Sequence, residues 1–343
     1  MPHYKLALLG FGNVGQALAR LLLSKQTELQ EQYQLTFSVT GIATGRHGAA
    51  VDAGGLDLER ALGLMEAGGT LDSLSTLPEP SDALDFIRLC GADVLFENTP
   101  VNYQTGQPAV DHLRAALERG MHAITANKGP VVHAYRQLTD LARAKGVKFY
   151  FEATVMDGAP IFSLYRETLP AARLIALSGI LNSTTNMILT RMENGDSFDQ
   201  AVAYCQSIGI AETDPSGDID GWDASVKVAA LVTVMMGVPL KPDQVDRQGI
   251  RSISPADIAR ARAENRRYKL VCSANCQDSQ VKARVAPELV GPDSPLYGVM
   301  GTTSVVQFTT DVLGQLSVIE ADPGPHTTAY GLFADFLNAV RDK

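Results

Sequence analysis

The apolar positions of this chain change their period as it proceeds. From Tyr4 to Leu9 (YKLALL) they are nearly unbroken, as in a buried strand. After Gly10-Phe11-Gly12-Asn13-Val14-Gly15 they recur at Leu18, Leu21 and Leu22, at helical spacing. A second strand-like run spans Thr36 to Ala43. Residues 48–77 are irregular, with Gly54-Gly55 and Gly68-Gly69 marking turns around one short helix. Alternation then resumes: a helix capped by Ser81 running to about Cys90, strand Ala92–Glu97, helix Pro108–Glu118, strand His122–Ala126, helix Val131–Lys145 and strand Val147–Ala153. This order predicts an α/β fold, a Rossmann-type doubly wound parallel sheet occupying residues 1–150.

Past Pro160 the pattern shifts. Strand Leu174–Leu181 leads into the polar cluster Asn182-Ser183-Thr184-Thr185-Asn186, which begins a helix to Glu193, and another helix spans Phe198–Ser207. A nearly uncharged helix covers Ala224–Val238. The segments Tyr268–Ala274, Gln280–Ala286, Ser304–Thr310 and Leu316–Ala321 follow, several alternating as half-buried antiparallel strands do. Residues 151–321 are therefore expected to form a second, α+β domain, with a segment 322–343, carrying the amphipathic helix Thr327–Val340, packing back on the first.

The stretch joining these elements, Gly209 to Lys227, reads GIAETDPSGDIDGWDASVK. Its carboxylates (Glu212, Asp214, Asp218, Asp220, Asp223) lie among Pro215, Gly217 and Gly221, so it reads as a turn-rich loop, with Asp223 capping the helix that follows. Lys227 is the one charge of that helix. A lysine is almost never buried without a partner, and Asp223 sits one turn back, within reach of its ammonium. A lysine reaching solvent and paired only for stability fits the helix alone; the acidic loop beside it favours a site.

The first motif has chemistry of its own. In strand–turn–helix context, G-x-G-x-x-G lets the backbone approach a pyrophosphate at a helix N-terminus, so Gly10, Phe11, Gly12, Asn13, Val14 and Gly15 are candidate dinucleotide contacts. After the second strand comes Ala43-Thr44-Gly45-Arg46-His47. Arg46, with no carboxylate nearby, favours NADP(H) and leaves NAD(H) possible; a solvated turn arginine is the alternative. Two polar turns, 98–102 and 125–130, fall beyond strand ends where ligands bind in such sheets, which singles out Lys128.

Composition narrows the class. The chain has 343 residues, 45% hydrophobic and 20% charged, and room for about two domains. A net charge of -9 argues against a nucleic-acid partner, and Arg260, Arg262, Arg266 and Arg267 read as a solvated helix face. No apolar run is long enough for a membrane span, and no signal peptide opens the chain, so a cytoplasmic protein is expected. Four scattered cysteines (Cys90, Cys205, Cys272, Cys276) read as reduced core thiols without zinc.

These residues together resemble homoserine dehydrogenase over nearly the whole chain. The strongest block is Gly209, Ile210, Ala211, Asp214-Pro215, Asp218, Gly221, Asp223 and Lys227, similar to that family's signature; GFGNVG, ENTPVN, TANKGP and ILNSTTN look like its other blocks in the same order. The resemblance implies NAD(P)-linked interconversion of L-homoserine and L-aspartate 4-semialdehyde, in threonine and methionine biosynthesis. It implies that Lys128 and Lys227 flank the reacting centre and that Glu212, Asp218 and Asp223 hold the amino end of the substrate, with Ser183 and Thr184 nearby. Thr99 and Gly324 would lie by the cofactor, and a monovalent cation (Na+ or K+) would be held by oxygens of Glu152, Val155, Asp157 and Ala159. Cys205, Ser183 and Val155-Met156-Asp157-Gly158 depart from the family's usual residues. A homodimer formed through the strands after Gln280 is expected, without a separate C-terminal regulatory module. Two rivals stand beside this reading: a dehydrogenase for another small amino or keto acid, and an NADP-sensing regulator without turnover.

Overall fold

A computed structural model describes residues 1–277 and 280–341. The chain forms two compact units: Met1–Gly158 joined by the helix from Pro325 onward, and Ala159–Gly324.

The first unit is built on six strands, β1 (His3–Leu9), β2 (Thr36–Ala43), β3 (Ala49–Val51), β4 (Val94–Glu97), β5 (His122–Thr125) and β6 (Phe149–Tyr150), in the order β3-β2-β1-β4-β5-β6. The run Leu6 to Leu9 is apolar throughout because both faces of β1 are covered. Leu6 and Leu8 join Leu18, Leu22 and Phe336 on one side, while Ala7 and Leu9 join Phe86 and Leu95 on the other. Phe336, on the C-terminal helix Pro325–Val340, meets Phe96 and Tyr4 edge-on, with ring centroids 6.2 and 6.1 Å apart.

Four expectations need correction here. The sheet is not wholly parallel: the three-residue β3 runs antiparallel to β2. The helix Ala83–Leu89 is capped by Asp82, whose side chain accepts from the Asp85 N–H, and not by Ser81. The helix expected from Val131 starts at Lys128, because Asn127 caps it through the Gly129 N–H and Pro130 lies in the first turn, where no donor is needed. The strand expected to reach Ala153 stops at Tyr150, since the Glu152 N–H turns out of the ladder to Asp335 Oδ2 at 2.7 Å and a 3₁₀ turn follows.

The second unit holds the strands β7 (Leu174–Ile180), β8 (Asp246–Arg247), β9 (Arg267–Gln277), β10 (Gln280–Val290), β11 (Ser304–Thr310) and β12 (Gly314–Glu320). Their order is β12-β11-β7-β9-β10-β8, antiparallel apart from β8 with β10. Close approach of β7 and β11 depends on Gly179, where a Cβ would lie 2.2 Å from the Val305 carbonyl oxygen. The helix Trp222–Leu231 packs on β9 and β10.

That helix does not run as predicted. It starts from Gly221, whose φ of 78° lies in the left-handed region, so Asp223 is the second helical residue and not the cap. It changes to a π-helical turn at Val232–Met236 and ends at Gly237, also left-handed. In the arginine cluster, Arg260 and Arg262 are exposed on the helix Pro255–Ala263, as expected of a solvated face, while Arg266 lies beyond its end and Arg267 opens β9. Arg262 donates to the Glu193 carbonyl, Arg266 to the Leu289 carbonyl at 2.7 Å, and Arg267 stacks on Tyr297, so these side chains fasten neighbouring segments together. Three cysteines are buried, Cys276 is partly so, and none is paired among the described residues. No helix is long and apolar enough to cross a membrane among those residues.

Candidate active site

In the second unit, the helix Trp222–Leu231 carries Lys227 toward the end of β7. Its Nζ donates to the Leu181 carbonyl at 2.7 Å and lies 3.1 Å from Asp223 Oδ2, one turn back on the same helix. Both side chains are largely enclosed, 16% and 11% exposed, which strengthens the pair while leaving the ammonium a way to solvent. The Leu181 carbonyl takes one of its three N–H donors and Asp223 supplies the countercharge, which leaves donor capacity for a substrate oxygen among the described residues.

Asn182 organises the carboxylates. Its Oδ1 caps the helix Ser183–Glu193 by accepting from the Thr185 N–H at 2.8 Å. Its Nδ2 donates both to Asp218 Oδ1 at 2.7 Å and to Asp223 Oδ2 at 3.1 Å. Thr184 donates to the Ile210 carbonyl at 2.9 Å and stands beside Asp218. Burial raises the Asp218 carboxyl above its ordinary value, and the neighbouring Asp223 charge adds to that; Asn182, Lys227 and Thr184 oppose it. Two carboxylates held together beside one ammonium leave the cluster rich in acceptors, a surface suited to a cationic ligand group.

Lys227, Asp223, Asp218 and Thr184 are therefore brought together, with Ser183 half-buried at the start of the adjoining helix. Glu212 is not in the cluster: it is exposed, its carbonyl takes the Gln206 amide at 3.2 Å, and its carboxylate has no bonded partner among the described residues. Asn182 was passed over by sequence reasoning because a polar residue opening a helix is already explained as a cap. Its place immediately after an apolar strand and before four more hydroxyl and amide residues was the available signal.

The first unit presents the dinucleotide elements. Gly10, at φ +99°, has its α-carbon against the Asn98 carbonyl, where a Cβ would lie 2.4 Å away; a Cβ on Gly15 would meet the Gly10 carbonyl at 2.4 Å. Around Gly12 nothing lies within 4 Å of that position, and no side chain caps the helix Asn13–Ser24. Phe11 is buried at 1% exposure, Asn13 is exposed and Val14 is partly buried. The turn thus leaves its backbone open where a pyrophosphate would lie, so the residues fit a dinucleotide. Arg46 is exposed just past β2 in a turn fixed by Thr44, whose hydroxyl accepts from the His47 N–H at 2.6 Å.

Below the ends of β4 and β5 a buried carboxylate joins the two polar turns. Glu97, with no exposed surface, accepts from the Thr99 N–H at 3.1 Å, from the Thr99 hydroxyl and from the Thr125 hydroxyl at 2.9 Å. Asn127 adds a bond from its amide to the Thr99 carbonyl at 3.1 Å. Lys128, partly buried, opens the helix beyond.

Of the oxygens named for a cation, Glu152 and Val155 are buried. Asp157 is left-handed at φ 42° with its carboxylate accepting from Thr328 at 2.6 Å. The Ala159 carbonyl, at the start of the second unit, accepts from Ile161 at 2.9 Å. No group of three or more His, Cys, Asp or Glu side chains able to hold a metal occurs among the described residues. Gly324 closes the second unit just before the C-terminal helix.

A family model described as homoserine dehydrogenase matches residues 160–337, and one described as homoserine dehydrogenase, NAD binding domain, matches residues 10–152. The chain belongs to the homoserine dehydrogenase family. An NAD(+)-dependent homoserine dehydrogenase of Pseudomonas canavaninivorans is 36% identical to it, over 98% of this chain and 96% of that protein. The homoserine dehydrogenase of Methanocaldococcus jannaschii is also 36% identical, over 96% and 97%. Among solved structures, a putative homoserine dehydrogenase from Archaeoglobus fulgidus has a TM-score of 0.85 at 30% identity, covering 98% of both chains. A hyperthermophilic archaeal homoserine dehydrogenase in complex with NADPH has a TM-score of 0.81 at 28% identity, covering 98% of this chain and 97% of its own. The activity is that of homoserine dehydrogenase, an NAD(P)-dependent oxidoreductase acting on a CH–OH group. This sets aside both the sensor without turnover and the dehydrogenase for a different acid.

Proposed function

We propose that the cluster of Lys227, Asp223, Asp218 and Asn182 is where L-homoserine and L-aspartate 4-semialdehyde are interconverted. The observation that carries this is the anchoring of the Lys227 ammonium by a hydrogen bond to the Leu181 carbonyl and an ion pair with Asp223, which aims its other donors at a substrate oxygen. A dinucleotide held at the glycine turn would supply the hydride chemistry at the carbinol carbon. The chain's own groups do the rest. The Lys227 ammonium stabilises the oxygen as it gains charge in aldehyde reduction and supports its protonation; in the reverse direction it steadies the oxygen as its proton leaves. Asp218 and Asp223 bind the substrate ammonium, with Ser183 and Thr184 beside them and Glu212 contributing from the exposed loop. Lys128 assists at the reacting oxygen, alone or through a water.

The glycine turn, Thr99 and Gly324 are assigned to the cofactor. Arg46 is assigned to the extra phosphate of NADP, which makes NADP(H) the preferred form; that the Pseudomonas relative is named NAD(+)-dependent makes this a question for experiment. The Glu152, Val155, Asp157 and Ala159 oxygens would hold a monovalent cation. We also assign the second unit's sheet to a homodimer and place the enzyme in the cytoplasm. Purified protein should oxidise NADPH on addition of aspartate 4-semialdehyde, followed by nicotinamide absorbance; absence of turnover with either NADPH or NADH would overturn the assignment.

A further inference from the structure

The acids of the cluster sit on a segment with little regular structure of its own, since Ser216–Ile219 forms only a single turn before Gly221 changes direction. A second segment is laid along it. The Ile250 N–H donates to the Ile219 carbonyl at 2.8 Å, and the Arg247 guanidinium donates to the Asp220 carbonyl while stacking on Trp222, 3.8 Å from the ring centroid. Arg251 holds the Asp220 carboxylate with two nitrogens, one at 3.0 Å. Between them Gly249 touches the same backbone: a Cβ there would stand 2.3 Å from the Ile219 carbonyl oxygen and 2.6 Å from the Asp220 α-carbon. The other end of this segment is tied to the sheet, with the Gln248 N–H donating to Val285 at 2.8 Å.

From this geometry we infer that Arg247–Arg251 is a clasp that positions Asp218 and Asp223 for the substrate's amino group, with Gly249 and Arg251 as positioning residues for specificity. Asp218 and Asp223 stand two residues before and three after Asp220, the centre of the stretch 219–222 that the clasp grips. A shift of the Asp220 backbone moves both carboxylates against Asn182, whose single amide nitrogen must reach the two of them. The clasp touches neither the Lys227 ammonium nor the Leu181 carbonyl, so it acts first on recognition of the amino group and reaches the chemical step only through Asp223. The inference rests on the reading that these acids bind the substrate ammonium.

The test compares Gly249→Ala, Arg251→Ala and Arg251→Lys with Asp218→Asn, using homoserine and its des-amino analogue 4-hydroxybutanoate. Gly249→Ala is expected to raise the KM for homoserine roughly ten- to a hundredfold, as misplacement of a binding group does, with a smaller fall in kcat through Asp223 and the cofactor KM unchanged. The preference for homoserine over the analogue should fall by the same factor. Arg251→Ala should act in the same direction by a smaller factor, because the ion pair is half-exposed, and Arg251→Lys should restore little of it, since one ammonium cannot grip both oxygens. Arg251→Ala also keeps the test decisive should Gly249→Ala fail to fold. If homoserine and cofactor KM values rise together with loss of thermal stability, the clasp is a general scaffold and the inference fails. It also fails, alone, if Asp218→Asn raises the homoserine KM and the clasp variants do not. If Asp218→Asn itself leaves that KM unchanged, the underlying reading of the acids is what falls.

Discussion

Lys227 and Asp223 are one helical turn apart, Nζ to Oδ2 3.1 Å, and the same Asp223 oxygen also receives the Asn182 amide. A lysine whose neighbours are a carbonyl and a shared carboxylate cannot swing freely, so its other donors have a defined direction. Lys227→Ala removes them without opening a large hole, because the lysine end is near solvent. Turnover should fall at least about a hundredfold, the scale of losing one donor to a developing oxyanion, with NADPH binding and the circular dichroism spectrum intact. Substantial kcat in the variant would remove Lys227 from the reaction.

Asp218 ties recognition to a stability cost. Its raised pKa means that the folded state resists the charged form. The stability associated with the protonated form is fully present below the ordinary value of 3.8 and is lost as pH rises through the folded value. Asp218→Asn can still accept from Asn182 but carries no charge. Relative to the parent it should gain stability as pH rises above the acid range, read from denaturant midpoints, while the homoserine KM increases about tenfold or more for loss of a charge-assisted bond. A variant that loses stability at neutral pH would contradict the burial argument.

Arg46 stands exposed beyond β2, where the adenosine end of a dinucleotide lies in this fold. Removing its guanidinium should cost about ten- to a hundredfold in NADP+ affinity, the range of a lost charge-assisted contact to phosphate, and leave NAD+ nearly untouched. Fluorescence titration of Arg46→Ala with both cofactors decides it: equal losses would place the preference elsewhere.

A second enclosed lysine gives a pH test of the scaffold. Lys269, with no exposed surface, donates to Asn186 Oδ1 at 3.0 Å and to the Val299 carbonyl, and burial lowers its pKa to about 8 from 10.5. Between those values the unfolded chain holds the extra proton, so this group makes the fold more stable as pH rises through the window. Lys269→Met leaves two buried acceptors unpaired and should destabilise the protein by about 1–3 kcal/mol. That deficit should grow from neutral to alkaline pH in urea melts. A deficit independent of pH would mean that Lys269 keeps its charge in the fold throughout.

The contrast between these two lysines shows what could be read in advance. Lys227 was legible because it is the single charge among apolar residues at helical spacing, with an acid one turn before it. Lys269 was not, because in RYKLVC an outward-facing strand lysine is the ordinary reading; its burial comes from the irregular segment 291–303, which has no periodicity to signal it. The parallel core strands were legible from continuous apolar runs, whereas β3 is too short to leave a pattern and Glu152 leaves its strand for a partner 183 residues away. Residue types of the site could be named from the chain. That one asparagine would hold two of its acids could not, since the bond depends on how β7 and the acidic segment pack.

The edge of the second sheet supplies the last prediction. β12 is an outermost strand, and Ile319, Val312 and Leu313 on or beside it are 65%, 72% and 53% exposed. An outer strand bearing exposed apolar side chains is a ready surface for association, and in a two-fold assembly one patch meets its own copy, so a single substitution acts twice. Ile319→Lys places two ammonium groups at or near the same contact. If the proposed homodimer uses this edge, the parent should sediment as a dimer at micromolar concentration and the variant should dissociate at least about tenfold more readily, with its circular dichroism unchanged because the side chain is not in the core. A parent that sediments as a monomer would overturn the dimer. A dimeric variant with unchanged dissociation would instead place the interface on the open face of the sheet, away from β12.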